Sequence, residues 1–393
     1  MTSPAPDPGV RKEFSEKVKR LAWILLIVGV LLYGAGYLID AKRSAFNNAI
    51  GFLFLASVAS GSIFLVALEY LAGAVWSVPM RRVNEFLGGL VAVVPFLAIP
   101  LLFHLHDLFH WSHVEASAGD TLLTGKAPYL NVNFFIIRFV AVFLLWNLFY
   151  FLFTRNSTKQ DSTRDPRLTT INARLGAAFM PVFAITVTLT AVDWAMSLEP
   201  HWYSTILGVY YFSGTVLAAL AAATYTVIKF HENGYLPNLR RDHFYSLGAL
   251  MFAFINFWAY IAFSQFLLIW YANLPEETFW FMKRWKDGWE YVSILLIVVH
   301  FVVPYFALLT QDSKMDLKRL KLMAIWILFA HLLDMYWLVM PTYGNGIPFG
   351  WMEIGFPILL VGLVLVVLSY KVKHNNLVPV GDPKLERGLS FRL

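Results

Sequence analysis

Ten long apolar runs follow one another through this 393-residue chain with little between them. A soluble core cannot bury so many helix-length stretches, whereas a bilayer can, since roughly 20 apolar residues in a helix cross its hydrocarbon. The runs are Leu21–Ile39, Ala49–Trp76, Phe86–Phe103, Val132–Phe153, Leu175–Ala195, Thr205–Phe230, Phe244–Tyr271, Trp289–Leu309, Leu322–Met340 and Glu353–Tyr370. Inside lipid every backbone amide and carbonyl must be satisfied within its own segment, so runs of this length are expected to be helices. Composition agrees: 58% hydrophobic and 14% charged residues, with a mean hydropathy of +0.60, exclude a soluble domain of this size. The expected fold is an all-α polytopic membrane protein with ten transmembrane helices.

Basic residues alternate along the chain in a way that orients it. With ten spans and a cytoplasmic amino terminus, the inner loops and tails hold 24 of the 31 Lys and Arg residues, the outer loops hold six, and Arg138 lies inside a span. The inner set includes Arg81 and Arg82, taken here as loop residues, and five residues after Tyr370. This asymmetry follows the positive-inside rule and predicts that both termini are cytoplasmic. Residues 1–20 are read as an amino-terminal tail, 21–370 as the membrane domain and 371–393 as a carboxyl-terminal tail. A pI near 9.3 then reflects inner loops facing anionic lipid, with no nucleic-acid partner required. Cysteine is absent, which excludes disulfides, cysteine-ligated iron–sulfur clusters and covalently attached haem c on this chain.

Ionisable residues inside spans carry the functional signal, because each costs about 2.5–3.5 kcal/mol at a helix centre on insertion scales. Glu69 falls in the inner half of the second span, with no basic residue near it in sequence, and reads as a buried acid suited to a proton relay. Arg138, Asp193 and the pair His331 and Asp334 fall in the outer half or at mid-depth, and Arg138 is expected to pair with Asp193 or Asp334. His331 and Asp334, at i and i+3, read structurally as a hydrogen-bonded pair between helices. In the segment His104–Asn131, His106, His110 and His113 at i, i+4 and i+7 are expected to line one stripe of a helix that continues the third span, with Asp107 beside them. No metal site is assigned to that stripe, since it lacks carboxylate or cysteine ligands at defined spacings. His300 and His331 are the one histidine pair at a depth suited to a b-type haem, against the plainer reading of packed histidines.

Several segments look familiar. Asp193-Trp194-Ala195-Met196-Ser197-Leu198-Glu199-Pro200-His201-Trp202-Tyr203-Ser204-Thr205, Trp258-Ala259-Tyr260, Ser264-Gln265, Ile269-Trp270-Tyr271-Ala272-Asn273-Leu274-Pro275-Glu276-Glu277-Thr278, His331-Leu332-Leu333-Asp334-Met335-Tyr336-Trp337 and Phe109-His110-Trp111-Ser112-His113 together resemble the ActF branch of bacterial alternative complex III. That branch belongs to the NrfD-like, polysulfide-reductase-type membrane subunits, and the resemblance covers nearly the whole chain. It implies two four-helix bundles, spans 2–5 (49–195) and spans 6–9 (205–340), with spans 1 and 10 peripheral. It also implies a subunit of the bacterial cytoplasmic membrane that holds no metal cofactor and has no catalytic residue of its own. Its complex oxidises menaquinol and carries haem c and iron–sulfur clusters on partner subunits: a multihaem cytochrome, a molybdopterin-like iron–sulfur protein and a sister NrfD-like subunit. On this reading Glu69, Asp193, His331 and Asp334 belong to a proton path, and Arg138, Asp193, His110, His113, His201 and His331 to a polar cluster that a quinol would meet. A structural anchor without ligand and a secondary transporter are the alternatives. The transporter would need paired broken helices, and Pro95, Pro100, Pro181, Pro304 and Pro357 are not accompanied by paired glycine-rich unwinding.

Overall fold

The computed structural model describes residues 11–113 and 119–393. Residues 1–10 of the expected amino-terminal tail, and 114–118 of the segment after the third span, lie outside the described residues. Among the described residues there is no strand, and ten helices are long and apolar enough to cross a membrane: α1 (Glu16–Ile39), α2 (Ala41–Ala72), α3 (Val78–Phe103), α4 (Val132–Thr163), α5 (Arg167–Leu198), α6 (Leu207–Glu232), α7 (Arg241–Ala272), α8 (Trp289–Ala307), α9 (Leu317–Thr342) and α10 (Trp351–His374). Most of them overrun the apolar runs. α3 begins at Val78 instead of Phe86, α4 ends at Thr163 instead of Phe153, and α5 begins at Arg167 instead of Leu175. Hydropathy reports the thickness of hydrocarbon crossed, while the helical hydrogen-bond ladder runs on until a cap or a turn stops it.

Those stops are visible in the residues. Asp40 alone separates α1 from α2, and its carboxylate accepts from the Arg43 amide at 2.9 Å to cap the second helix. Asn131 caps α4 in the same way through Phe134, and Asp316 caps α9 through Lys318 and Arg319. Gly73, at φ 64°, closes α2 in the left-handed conformation and turns the chain back into α3.

α2 and α6 form the centre. In their most apolar stretches 94% and 89% of residues are buried, against 17% in α1. α2–α5 pack into one four-helix bundle and α6–α9 into a second, and the bundles meet along α2 and α6. At Gly61 a Cβ would lie 2.6 Å from the Thr215 carbonyl oxygen, so only glycine lets these backbones approach. α1 and α10 pack on each other at the periphery. α10 is tied to α2 by a bidentate pair between Arg43 and Glu353 at 2.8 and 2.6 Å, joined by Asn47 at 2.8 Å. Large apolar side chains such as Leu31, Leu144, Phe263 and Phe306 point outward, as helices in lipid require.

Both ends of the described chain lie on one face, where Glu13 meets Lys373 at 3.3 Å. The carboxyl-terminal segment is not a free tail. Leu377, Val378, Asp382 and Leu385 are buried, Asn376 donates to Asp161 in the last turn of α4, Asp382 meets Arg81 of α3, and the Gly388 carbonyl bonds to His243 of α7. The segment is a strap across the termini face of both bundles. It was legible only as a basic tail because its hydrophobic residues are too few and too scattered to read as a run.

Candidate functional site

Ionisable groups gather in three places. At the termini face, Glu69 at the end of α2 accepts from Arg81 at 3.0 Å, and Arg81 also donates to Asp382 at 2.7 Å and lies 3.5 Å from Glu85. Arg82 bonds Glu85 at 2.5 Å and Asp161 at 2.6 Å. This corrects two expectations. Glu69 does have a basic neighbour, and Arg81 and Arg82 are buried in α3 instead of sitting in a loop. The turn at Gly73 reverses the chain, so a residue twelve positions on returns to the same depth, which sequence proximity could not reveal. Glu69 also borders a cavity of about 410 Å³ between the bundles, whose wall includes Trp76, Ser77, Asn84, Tyr245 and Ser246.

In the opposite half of the first bundle, Arg138 of α4 forms the expected pair with Asp193 of α5: Nε and Nη2 donate to the two carboxylate oxygens at 2.8 and 2.9 Å. Tyr129 completes the site. Its hydroxyl donates to Asp193 at 3.0 Å, its carbonyl accepts from Arg138 at 2.8 Å, and its ring lies 3.8 Å from the guanidinium carbon. Burial and the nearby carboxylate raise the Tyr129 phenol above its ordinary pKa, so it stays a donor.

The second bundle holds the third group. Asp334 of α9 accepts from the Tyr210 hydroxyl of α6 and from the Trp258 indole of α7 at 3.1 Å. His300 of α8 stacks on Trp258 with ring centroids 3.7 Å apart, and His331 lies against Phe54 and Gly214. His300, His331 and Asp334 are all fully buried. The local reason for the His300 position is a π-helical stretch, Val298–Val302, ahead of Pro304, which rotates the ring out of α-helical register. His331 and Asp334 do not bond to each other as expected; the aspartate turns to Tyr210 and Trp258, and neither nitrogen of His331 has a partner. A cavity of about 470 Å³ borders this group, its wall including Tyr210, Trp258, Gln265, Trp285, Ser293 and Trp337.

The single polar cluster expected from the sequence therefore divides. No hydrogen bond or ion pair among the described residues joins Arg138 and Asp193 to His331 and Asp334. His201 is exposed and its Nε2 lies 2.6 Å from Asp120. The histidine stripe is also corrected: the helix breaks at Phe109 (φ −115°, ψ 109°), so His106 and His110 sit on separate short turns. His113 Nε2 lies 2.9 Å from the His106 carbonyl, and His110 is exposed nearby. Arg284, counted in an outer loop, is buried instead. It donates to the Trp280, Trp337 and Leu338 carbonyls, the last two at the end of α9, and its guanidinium carbon lies 3.3 Å from the Trp280 ring centroid. Burial holds its pKa below the usual guanidinium range, opposed in part by the charge of Glu199, while carbonyls at a helix end solvate the cation. Sequence reading missed Tyr210, Arg81 and Asp382. The only available signal for Arg81 was its position directly before an apolar run.

No protein-family profile matches the chain, and a search of curated proteins finds no match.

Proposed function

We propose that this chain is a proton-conducting membrane subunit of a quinol-oxidising respiratory complex, of the NrfD-like type its segments resemble, in the cytoplasmic membrane of a bacterium. The observation that carries this reading is Glu69, a buried acid on the wall of the 410 Å³ cavity between the bundles at the termini face. With that face toward the cytoplasm, the cavity is the entrance and Glu69 the first acceptor. The exit lies toward the opposite face, where Asp334, His331 and Asp193 stand. From Phe54, which touches His331, to Glu69 is 69 − 54 = 15 residues of α2, about 22 Å at 1.5 Å per residue. The seam between holds the hydroxyls of Ser57 and Thr215, 3.3 Å apart, with Ser60, Ser62 and Thr224. Thr215 donates to Ser57 directly, and in this reading water bridges the remaining hydroxyls, which no hydrogen bond joins to one another.

The 470 Å³ cavity supports contact with a quinol, having the size of an organic-ligand pocket, an aromatic wall and a phenol at its edge. Haem c and iron–sulfur clusters belong to partner subunits in this reading, and the chain anchors them. The test is Glu69→Gln in the assembled complex in proteoliposomes. Quinol oxidation is expected to continue while proton release per electron falls. Unchanged turnover and unchanged proton stoichiometry together would leave the chain an anchor.

A further inference from the structure

We propose that His300, His331 and Asp334 form a binding site for one divalent first-row metal ion of the zinc class inside the second bundle. All four ring nitrogens of the two histidines lack a hydrogen-bond partner, although both rings are fully buried. An unsatisfied buried polar group costs about 1–3 kcal/mol, and native interiors rarely leave one without a partner. Two orphaned imidazoles side by side therefore point to a missing partner common to both. A ligand atom from each of the three residues lies within 4.8 Å of the other two, so modest rotations about the side-chain bonds bring them onto one ion.

The donor set fits a metal better than any other small ligand. Two neutral imidazoles and one carboxylate are the ligands that zinc and its neighbours take, leaving a fourth position open. The surroundings match those of a built site. Tyr210 and Trp258 both donate to Asp334 and fix its carboxylate, as outer partners of metal ligands do. Trp258 also fixes the His300 ring from its flat side, and the π-helical stretch sets that residue's direction. Tyr210 and Trp258, which both touch Asp334, also line the 470 Å³ cavity, so that cavity comes within one side chain of the site. A bound cation takes the imidazole lone pairs that a proton would use, so metal occupancy and proton passage exclude each other here. That consequence, unlike the binding, rests on the proton reading.

Metal content of the purified full chain tests the site. After chelator treatment and addition of zinc chloride, the parent is expected to retain one equivalent per chain through desalting, and cobalt(II) in its place to give the intense visible bands of tetrahedral coordination. His300→Ala and His331→Ala should each lose that equivalent. Trp258→Phe keeps an aromatic ring on His300 but removes the indole donor to Asp334, and should weaken binding about 10–100-fold. It also covers the case in which a histidine variant does not fold. The double variant His110→Ala, His113→Ala should retain the equivalent. A helical parent that retains no metal overturns the site, as does metal lost with the surface histidines or unaffected in Trp258→Phe and His300→Ala. Because the readout is stoichiometry, a failed proton assay would leave this result standing, and the converse also holds.

Discussion

The fourth helix of each bundle carries one buried aspartate in the half opposite the termini, and the two are partnered in opposite ways. Asp193 receives both arms of a guanidinium from the neighbouring helix, with a tyrosine bracing the pair. Asp334 receives only neutral donors, a phenol and an indole, beside two imidazoles that bond to nothing. A buried ion pair locks geometry, because removing either member strands the other charge in a medium that cannot solvate it. An acid held by neutral donors strands no fixed charge when it changes state. In this half of the molecule the first bundle thus spends its buried charge on shape, while the second holds its aspartate with neutral donors alone.

The largest expected effect lies at the ion pair. Asp193→Asn should destabilise the protein by about 3–5 kcal/mol by leaving Arg138 uncompensated, while Arg138→Met combined with Asp193→Leu should recover most of the loss. Equilibrium unfolding in mixed micelles measures both, and a single variant no worse than the double would remove the ion pair from the account. Asp382→Asn weakens one of three carboxylate contacts to Arg81 and should cost about 1–3 kcal/mol. Its readout is local: faster proteolysis within the strap, around Leu377 to Leu389, with the spans still intact. Asp334→Asn keeps one oxygen to accept from the Trp258 indole and turns its amide to donate to the Tyr210 hydroxyl, and should cost only about 1 kcal/mol. Equal losses at the two aspartates would erase the distinction between the bundles.

The smallest effect concerns the cover over the first bundle's ion pair. Asp120 caps the short helix Thr121–Lys126, which leads to Tyr129. Its carboxyl is held below the ordinary carboxylate pKa, first by the backbone amide of Leu123 and then by His201. A lowered folded-state value means that its contribution is complete above the ordinary pKa and disappears as pH falls through the lowered one. Amide exchange in Thr121–Lys126, corrected for intrinsic rates, should therefore lose protection only at pH below the ordinary carboxylate range. Protection lost already near neutral pH would assign the helix's stability to another group.

Much of the fold was legible because a membrane imposes it segment by segment. Each apolar run has to be a helix, and the number of runs places both ends on one face. The pairing of Arg138 was legible too, since a guanidinium at that depth has few partners to choose from. Glu69 was legible as a buried acid but not as a paired one, because Arg81 comes back to it only through the reversal at Gly73. The histidine stripe failed for a local reason: periodicity assumes an unbroken helix, and the chain turns extended at Phe109. Conversely, the π-helical stretch that aims His300 leaves no periodic trace, since it shifts the register by a single residue.

The sequence by itself determined ten spans, which of them carry ionisable groups, and which residues needed a partner. Tertiary structure alone decided who those partners are: Arg81 and Asp382 meet across 301 positions, and Tyr210 and Asp334 across 124. Hydropathy is a property of each segment against lipid and can be read one helix at a time. Partner choice depends on which helices lie side by side and how each is rotated about its axis, and that is set by the packing of α2 against α6, with Gly61 at their contact.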